Sequence, residues 1–165
     1  MLVSLCKWLE STALSQMIQN IDWVIPLVQV IHILCLAIVL SSVALMDLRL
    51  MGLGGRRVSI AGMAQRFLPW IWCAVVVMAI TGAILIIGEP PRSLRNIAFQ
   101  IKMVLLLGAL MVTFFFQRTV RSNAQYWDQS PAHQTSARLT AVVSMSLWFG
   151  IAVCGRLIAY MTPDP

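Results

Sequence analysis

The stretch WVIPLVQVIHILCLAIVLSSVALM, Trp23 to Met46, decides the fold. It is bounded by Asp22 and Asp47 and holds no Asp, Glu, Lys or Arg between them. A bilayer core of about 30 Å takes about 20 apolar residues in helical form, so the run reads as one membrane span. Pro26 falls in its first turn, where proline costs little. Its unusual feature is a polar pair in the apolar run: Gln29 and, three residues on, His32.

Three further runs have the same character: about Phe67 to Ile87, about Phe99 to Phe116 and about Leu139 to Tyr160. The second is entered through Pro69 and stopped by EPPR, Glu89 to Arg92. None alternates with the period of two that a strand requires. The expected fold is therefore all-α: an integral membrane four-helix bundle, one domain over residues 1–165. Residues 3–20 resemble neither a span nor a cleavable leader, because Glu10 interrupts them and no long apolar core is present. Leu5, Trp8, Leu9, Leu14, Met17, Ile18 and Ile21 recur at near-helical spacing among polar neighbours. That pattern predicts an N-terminal amphipathic helix lying in the bilayer interface.

Composition agrees. The chain is 59% hydrophobic and 11% charged, with mean hydropathy +0.84, whereas soluble domains carry about 25% charged residues. Its net charge of +6 does not indicate nucleic acid, because the basic residues sit between apolar runs, as membrane orientation demands. Arg49, Arg56, Arg57, Arg66, Arg118, Arg121 and Arg138 flank one side, against Lys7, Arg92 and Arg95 on the other. The arginine-rich loops are expected in the cytoplasm, and both termini in the periplasm of a bacterial inner membrane. Trp8, Trp23, Trp70, Trp127 and Tyr160 fall near the expected interfaces. Cys6, Cys35, Cys73 and Cys154 have no zinc-type spacing and read as small hydrophobes. GLGGRR (Gly52 to Arg57) lacks the ending of a phosphate loop and reads as a turn.

Ionisable groups within spans are costly and point to function. His32 lies about 13 Å below the expected outer boundary; Lys102 and Arg156 are about 5–6 Å deep on the same side. Glu89 sits at that boundary. Gln29, His32 and Cys35 share one stripe, and small residues lie beneath both cations: Ala109 under Lys102 and Ala152 under Arg156. An imidazole at depth, cations above it and room between them suit a b-type haem. His32 would ligate the iron and Lys102 and Arg156 would pair with the propionates. Met78, at a depth similar to His32, would supply the sixth ligand, or that position would stay open. The alternative is structural: His32 hydrogen-bonds Gln29 or a neighbouring helix, and the cations snorkel to the interface.

The segments DLRLMGL (Asp47 to Leu53), LPW (Leu68 to Trp70), TGAIL (Thr81 to Leu85) and EPPRSLRNIAFQIKM (Glu89 to Met103) together resemble an uncharacterised family of four-helix bacterial inner-membrane proteins. That family looks distantly similar to the copper-resistance protein D group and to the haem-using membrane protoporphyrinogen oxidase. The resemblance implies functional roles for His32 on the first helix, for Lys102 opening the third and for Arg49 closing the first. It also implies a histidine near the end of the third helix, where this chain reads FFFQR, Phe114 to Arg118.

Three functions follow as expectations. One is a haem b redox protein exchanging electrons with a quinone or other redox partner, or acting on a porphyrin. Another is handling of copper or a small solute, although the ten methionines are scattered. The third is a cofactor-free accessory subunit docked onto other membrane subunits.

Overall fold

The computed structural model of the chain describes residues 2–53, 59–123, 131–158 and 160. Gly54, Arg56, Arg57, Trp127 and the tail from 161 lie outside them. The helices are α1 (Leu2–Glu10), α2 (Ala13–Gln19), α3 (Val24–Leu50), α4 (Ile60–Gly88), α5 (Pro90–Leu94), α6 (Ile97–Ser122) and α7 (Pro131–Leu157), with no strand among the described residues. Four of these, α3, α4, α6 and α7, are long and apolar enough to cross a membrane.

The long helices outrun the apolar runs that announce them. Helix α3 continues through Asp47 and ends in a C-terminal turn that fixes its exit. Gly52 adopts φ +84°, its N–H donates to Arg49 O at 3.0 Å, and the Leu53 N–H reaches Leu48 O at 3.0 Å. Those two bonds satisfy orphan carbonyls, and a residue without Cβ is best suited to the left-handed position. Helix α4 begins at a Ser59 cap, whose hydroxyl accepts from the Gly62 N–H at 3.1 Å. Pro69 is consequently inside α4 and does not open it. Asn96 caps α6 by accepting from the Ala98 N–H at 2.9 Å.

Packing pairs α3 with α4, α6 with α7, and α3 with α7, while α4 and α6 touch less extensively. Small residues let the backbones approach, as membrane helices require: Ala64, Ala74, Ala109, Ala137 and Ala141 are all buried. Gly108 lies against Leu147, and a Cβ at Gly150 would come 3.0 Å from Leu105 Cδ1. Trp72 Nε1 donates to Gln117 Oε1 at 2.7 Å, joining α4 to α6. Gln117 belongs to the FFFQR segment, so that position braces two helices. Large apolar side chains face outward on the long helices, among them Leu34, Val76, Val104 and Phe149. Apolar surface on that scale asks for a lipid-like environment. Trp8, Trp23, Trp70 and Tyr160 are all exposed.

The N-terminal segment differs from the single surface helix expected of residues 3–20. It breaks at Ser11 and Thr12, where the Thr12 hydroxyl caps α2. Helix α2 then docks onto the end of α4 through side-chain hydrogen bonds. Ser15, fully buried, donates to Ile87 O at 2.7 Å, and Gln19 Nε2 donates to Gly88 O at 2.9 Å. These acceptors are last-turn carbonyls that no intrahelical donor can reach. A Cβ at Gly88 would come 3.1 Å from Ile18 Cγ2, so the glycine permits this close seat. Replacing Ser15 and Gln19 together by alanine strands both carbonyls, at about 1–3 kcal/mol each. Helix α1 should then loosen, and Cys6, 3% exposed, should react faster with a maleimide in peptide mass spectrometry. An unchanged rate would show that apolar contacts alone hold the segment.

Candidate functional site

Where α3, α4, α6 and α7 meet near α5, they enclose a pocket of about 450 Å³. Its polar lining comprises Gln29 and His32 from α3, Glu89 and Ser93 around α5, Lys102 from α6 and Arg156 from α7. The volume lies inside the roughly 300–1,000 Å³ of small-molecule and cofactor sites. Gly82, Ala152 and Gly155 contribute almost no side chain to its walls.

His32 is held in one orientation. Its Nδ1 lies 2.8 Å from Thr81 Oγ1 on α4. The Thr81 hydroxyl lies 2.9 Å from Val77 O and 3.2 Å from Met78 O, so its own proton goes to a backbone carbonyl. Thr81 is then the acceptor and His32 Nδ1 carries the hydrogen. That leaves Nε2 as a lone-pair donor, the form in which imidazole binds metals. Gly82, next to Thr81, makes room for the ring: a Cβ there would meet His32 Cε1 at 3.6 Å.

The cations are set differently. Lys102 is half-buried and near enough to act electrostatically on His32. Its Nζ lies 3.7 Å from where a Gly155 Cβ would stand. Arg156 is exposed at the rim, where Nη2 donates to the Tyr160 hydroxyl at 2.8 Å and the guanidinium sits 5.1 Å from that ring's centroid. Tyr160 thereby braces the arginine without neutralising it.

Of the residues singled out from sequence, Gln29, His32, Glu89, Lys102 and Arg156 line this pocket. Met78 does not: it is 8% exposed and packs in the apolar core. It shares a helix face with Gly82, Leu85 and Glu89, which line the pocket, but it sits one turn deeper than Thr81, the residue level with the imidazole. Arg49 occupies the last turn of α3, 17 residues beyond His32 and about 25 Å along the helix, so it belongs to the other end of the bundle. Thr81 and Ser93 escaped the sequence reading, although a threonine hydroxyl in a span invites the question of which side chain it accepts from. All four cysteines are free thiols. Among the described residues no three His, Cys, Asp or Glu side chains gather as a metal site.

These features define a class: an all-α bundle with four helices long and apolar enough to cross a membrane, and a polar pocket set into one end. Over residues 5–161 the sequence matches the model described as Family of unknown function (DUF6644), and the chain belongs to that family. No curated protein and no solved structure matches it.

The tautomer of His32 is directly testable, because the chain has two histidines and His133→Gln leaves one. Nitrogen-15 NMR of the labelled variant should show the proton on Nδ1. Thr81→Val removes the acceptor and should release the ring into a mixture of tautomers. A proton on Nε2 in the Thr81-containing protein would reverse the hydrogen-bond direction derived above.

Proposed function

We propose that this pocket binds a b-type haem, and that the protein is a redox protein of the bacterial inner membrane with its α5 end facing outward. The observation that carries the reading is the meeting of His32, Lys102 and Arg156 in one pocket of about 450 Å³. The resemblance of His32 and Lys102 to functional positions of the haem-using oxidase points the same way. The donor set suits the group. A tetrapyrrole brings its own ring nitrogens to iron, so one fixed imidazole suffices where no protein-only metal cluster forms. Two cations answer two propionates, and Gly82, Ala152 and Gly155 leave space for a planar ring.

In this reading His32 would hold the iron through Nε2, and the bond from Nδ1 to Thr81 would fix the ring plane and sustain the basicity of Nε2. Lys102, half-buried near the imidazole, would hold one carboxylate; Arg156, steadied by Tyr160, would hold the other at the rim. Gln29, one turn from His32, supplies a neutral hydrogen-bonding group on the same wall. Met78 stays in the core and would take no part in holding the group. When bound, the haem would supply one-electron chemistry, with a quinone or a partner protein as the other reactant.

Purified protein expressed with ample haem should show a Soret band that responds to dithionite. His32→Ala should abolish it while the bundle stays inserted, because backbone hydrogen bonds and broad packing hold membrane helices. Lys102→Ala and Arg156→Ala each remove a charged partner worth about 1.5–3 kcal/mol, so haem affinity should fall roughly ten- to over a hundredfold. Met78→Ala should leave the spectrum unchanged. A wild-type protein without Soret absorbance sinks the haem reading. Orientation is separate: an impermeant thiol reagent should reach a cysteine placed at Arg92 in intact cells, and miss one placed at Gln129. The reverse pattern would turn the bundle over.

A further inference from the structure

A second polar site lies at the opposite end of the bundle, about 22 Å from His32 along α3 (15 residues). Asp47 there is 3% exposed, and its Oδ2 has no hydrogen-bond partner among the described residues. It lines a small, partly open cavity of about 20 Å³ together with Thr113 of α6 and Thr140 and Ser144 of α7. A cavity of that size holds one water-sized occupant, since about 10–15 Å³ is the minimum.

The hydrogen bonds around the cavity specify the occupant's chemistry. Thr113 gives its hydroxyl proton to Ala109 O at 2.9 Å, and Thr140 gives its own to Ser136 O at 2.9 Å. Ser144 shares the cavity wall with the Asp47 carboxyl and is placed to bear on its charge. The Thr113 and Thr140 oxygens, with their protons committed elsewhere, and the unpartnered Asp47 Oδ2 are left as acceptors around a space lined otherwise by Ser144 and apolar groups. A site made of oxygen acceptors excludes anions and favours a cation or a strong donor. An isolated carboxylate in such surroundings is also costly, and binding a positive charge removes that cost. Among the described residues that line the cavity there is no cation to do so. Helix α4 faces Asp47 there with Ile71, α6 with Val112, Thr113 and Phe116, and α7 with Thr140 and Ser144. None of these is charged.

We propose that Asp47, with Ser144, Thr113 and Thr140, forms a binding site for one small monovalent cation, either a proton shared with a water or a sodium ion. Both are hard cations that fit an all-oxygen site, and both would neutralise Asp47. The site is independent of the haem reading, shares no residue with the outer pocket and stands if that reading fails.

Dicyclohexylcarbodiimide, which adds to protonated carboxyls in apolar surroundings, reports on the site in full-length protein held in nanodiscs. Peptide mass spectrometry should find the adduct on Asp47, and the labelling rate should fall as pH rises. If sodium chloride slows labelling at fixed pH where potassium chloride does not, sodium takes the site. If only pH matters, the occupant is a proton. Ser144→Ala should shift the pH or sodium midpoint severalfold, and Asp47→Asn should lose the adduct. Infrared difference spectra recorded on pH or sodium jumps give a second readout that needs no variant. An adduct whose rate ignores pH and sodium, or no adduct together with no responsive carboxyl band, overturns the proposal.

Discussion

The way α4 ends governs much of what surrounds it. Two consecutive prolines, Pro90 and Pro91, cannot donate backbone hydrogen bonds, so α4 stops at Gly88 and the chain turns through α5 before α6 begins. The carbonyls stranded by that stop lie at one end of the bundle, where an unsatisfied group costs several kcal/mol if water is excluded. Ser15 and Gln19 satisfy two of them, which draws the N-terminal segment over this end. The same turn sets Glu89 and Ser93 at the mouth of the large pocket. Helix termination, docking of α1 and α2, and the pocket's upper wall are consequences of one sequence feature.

Much of this architecture was legible because lipid imposes it. Uninterrupted apolar runs marked the cores of α3, α4, α6 and α7, since nothing else in the chain can hide that much apolar surface. The ends were not legible. Residues 60–66, 117–122 and 131–138 continue their helices with mixed composition, and hydropathy cannot separate a polar helical turn from a loop. Pro69 misled for the same reason: it opens the apolar run, but the helix had already begun at the Ser59 cap. Asp47 misled more instructively. A charge at the edge of an apolar run reads as the water boundary, whereas α3 carries it inward and buries it among neutral hydroxyls.

The large pocket was legible to the extent that charge is rare. With so few ionisable groups in the spans, His32, Lys102 and Arg156 stood out, and depth alone grouped them. The height of one helix against another is a different matter. Met78 and Thr81 share a face of α4, three residues apart, yet only Thr81 is level with the imidazole, while Met78, one turn deeper, is packed into the core. How far α4 is shifted along α3 decides which of the two meets His32. That is a property of the assembled bundle rather than of the segment.

Both polar sites are walled by α7. Thr140, Ser144, Trp148, Ala152 and Arg156 recur every four residues on it, so they follow one row that winds around the helix by about 40° per step as it climbs from one site to the other. The lower two line the small cavity and the upper two the large pocket. Trp148 stands between them, 1% exposed, level with an apolar layer that includes Ile151 at 0%. Its indole N–H has no acceptor among the described residues, a cost of about 1–3 kcal/mol. An ion moving from one pocket to the other would have to enter that apolar layer, which costs several kcal/mol at the least. Trp148 and Ile151 therefore separate the two polar pockets along the bundle.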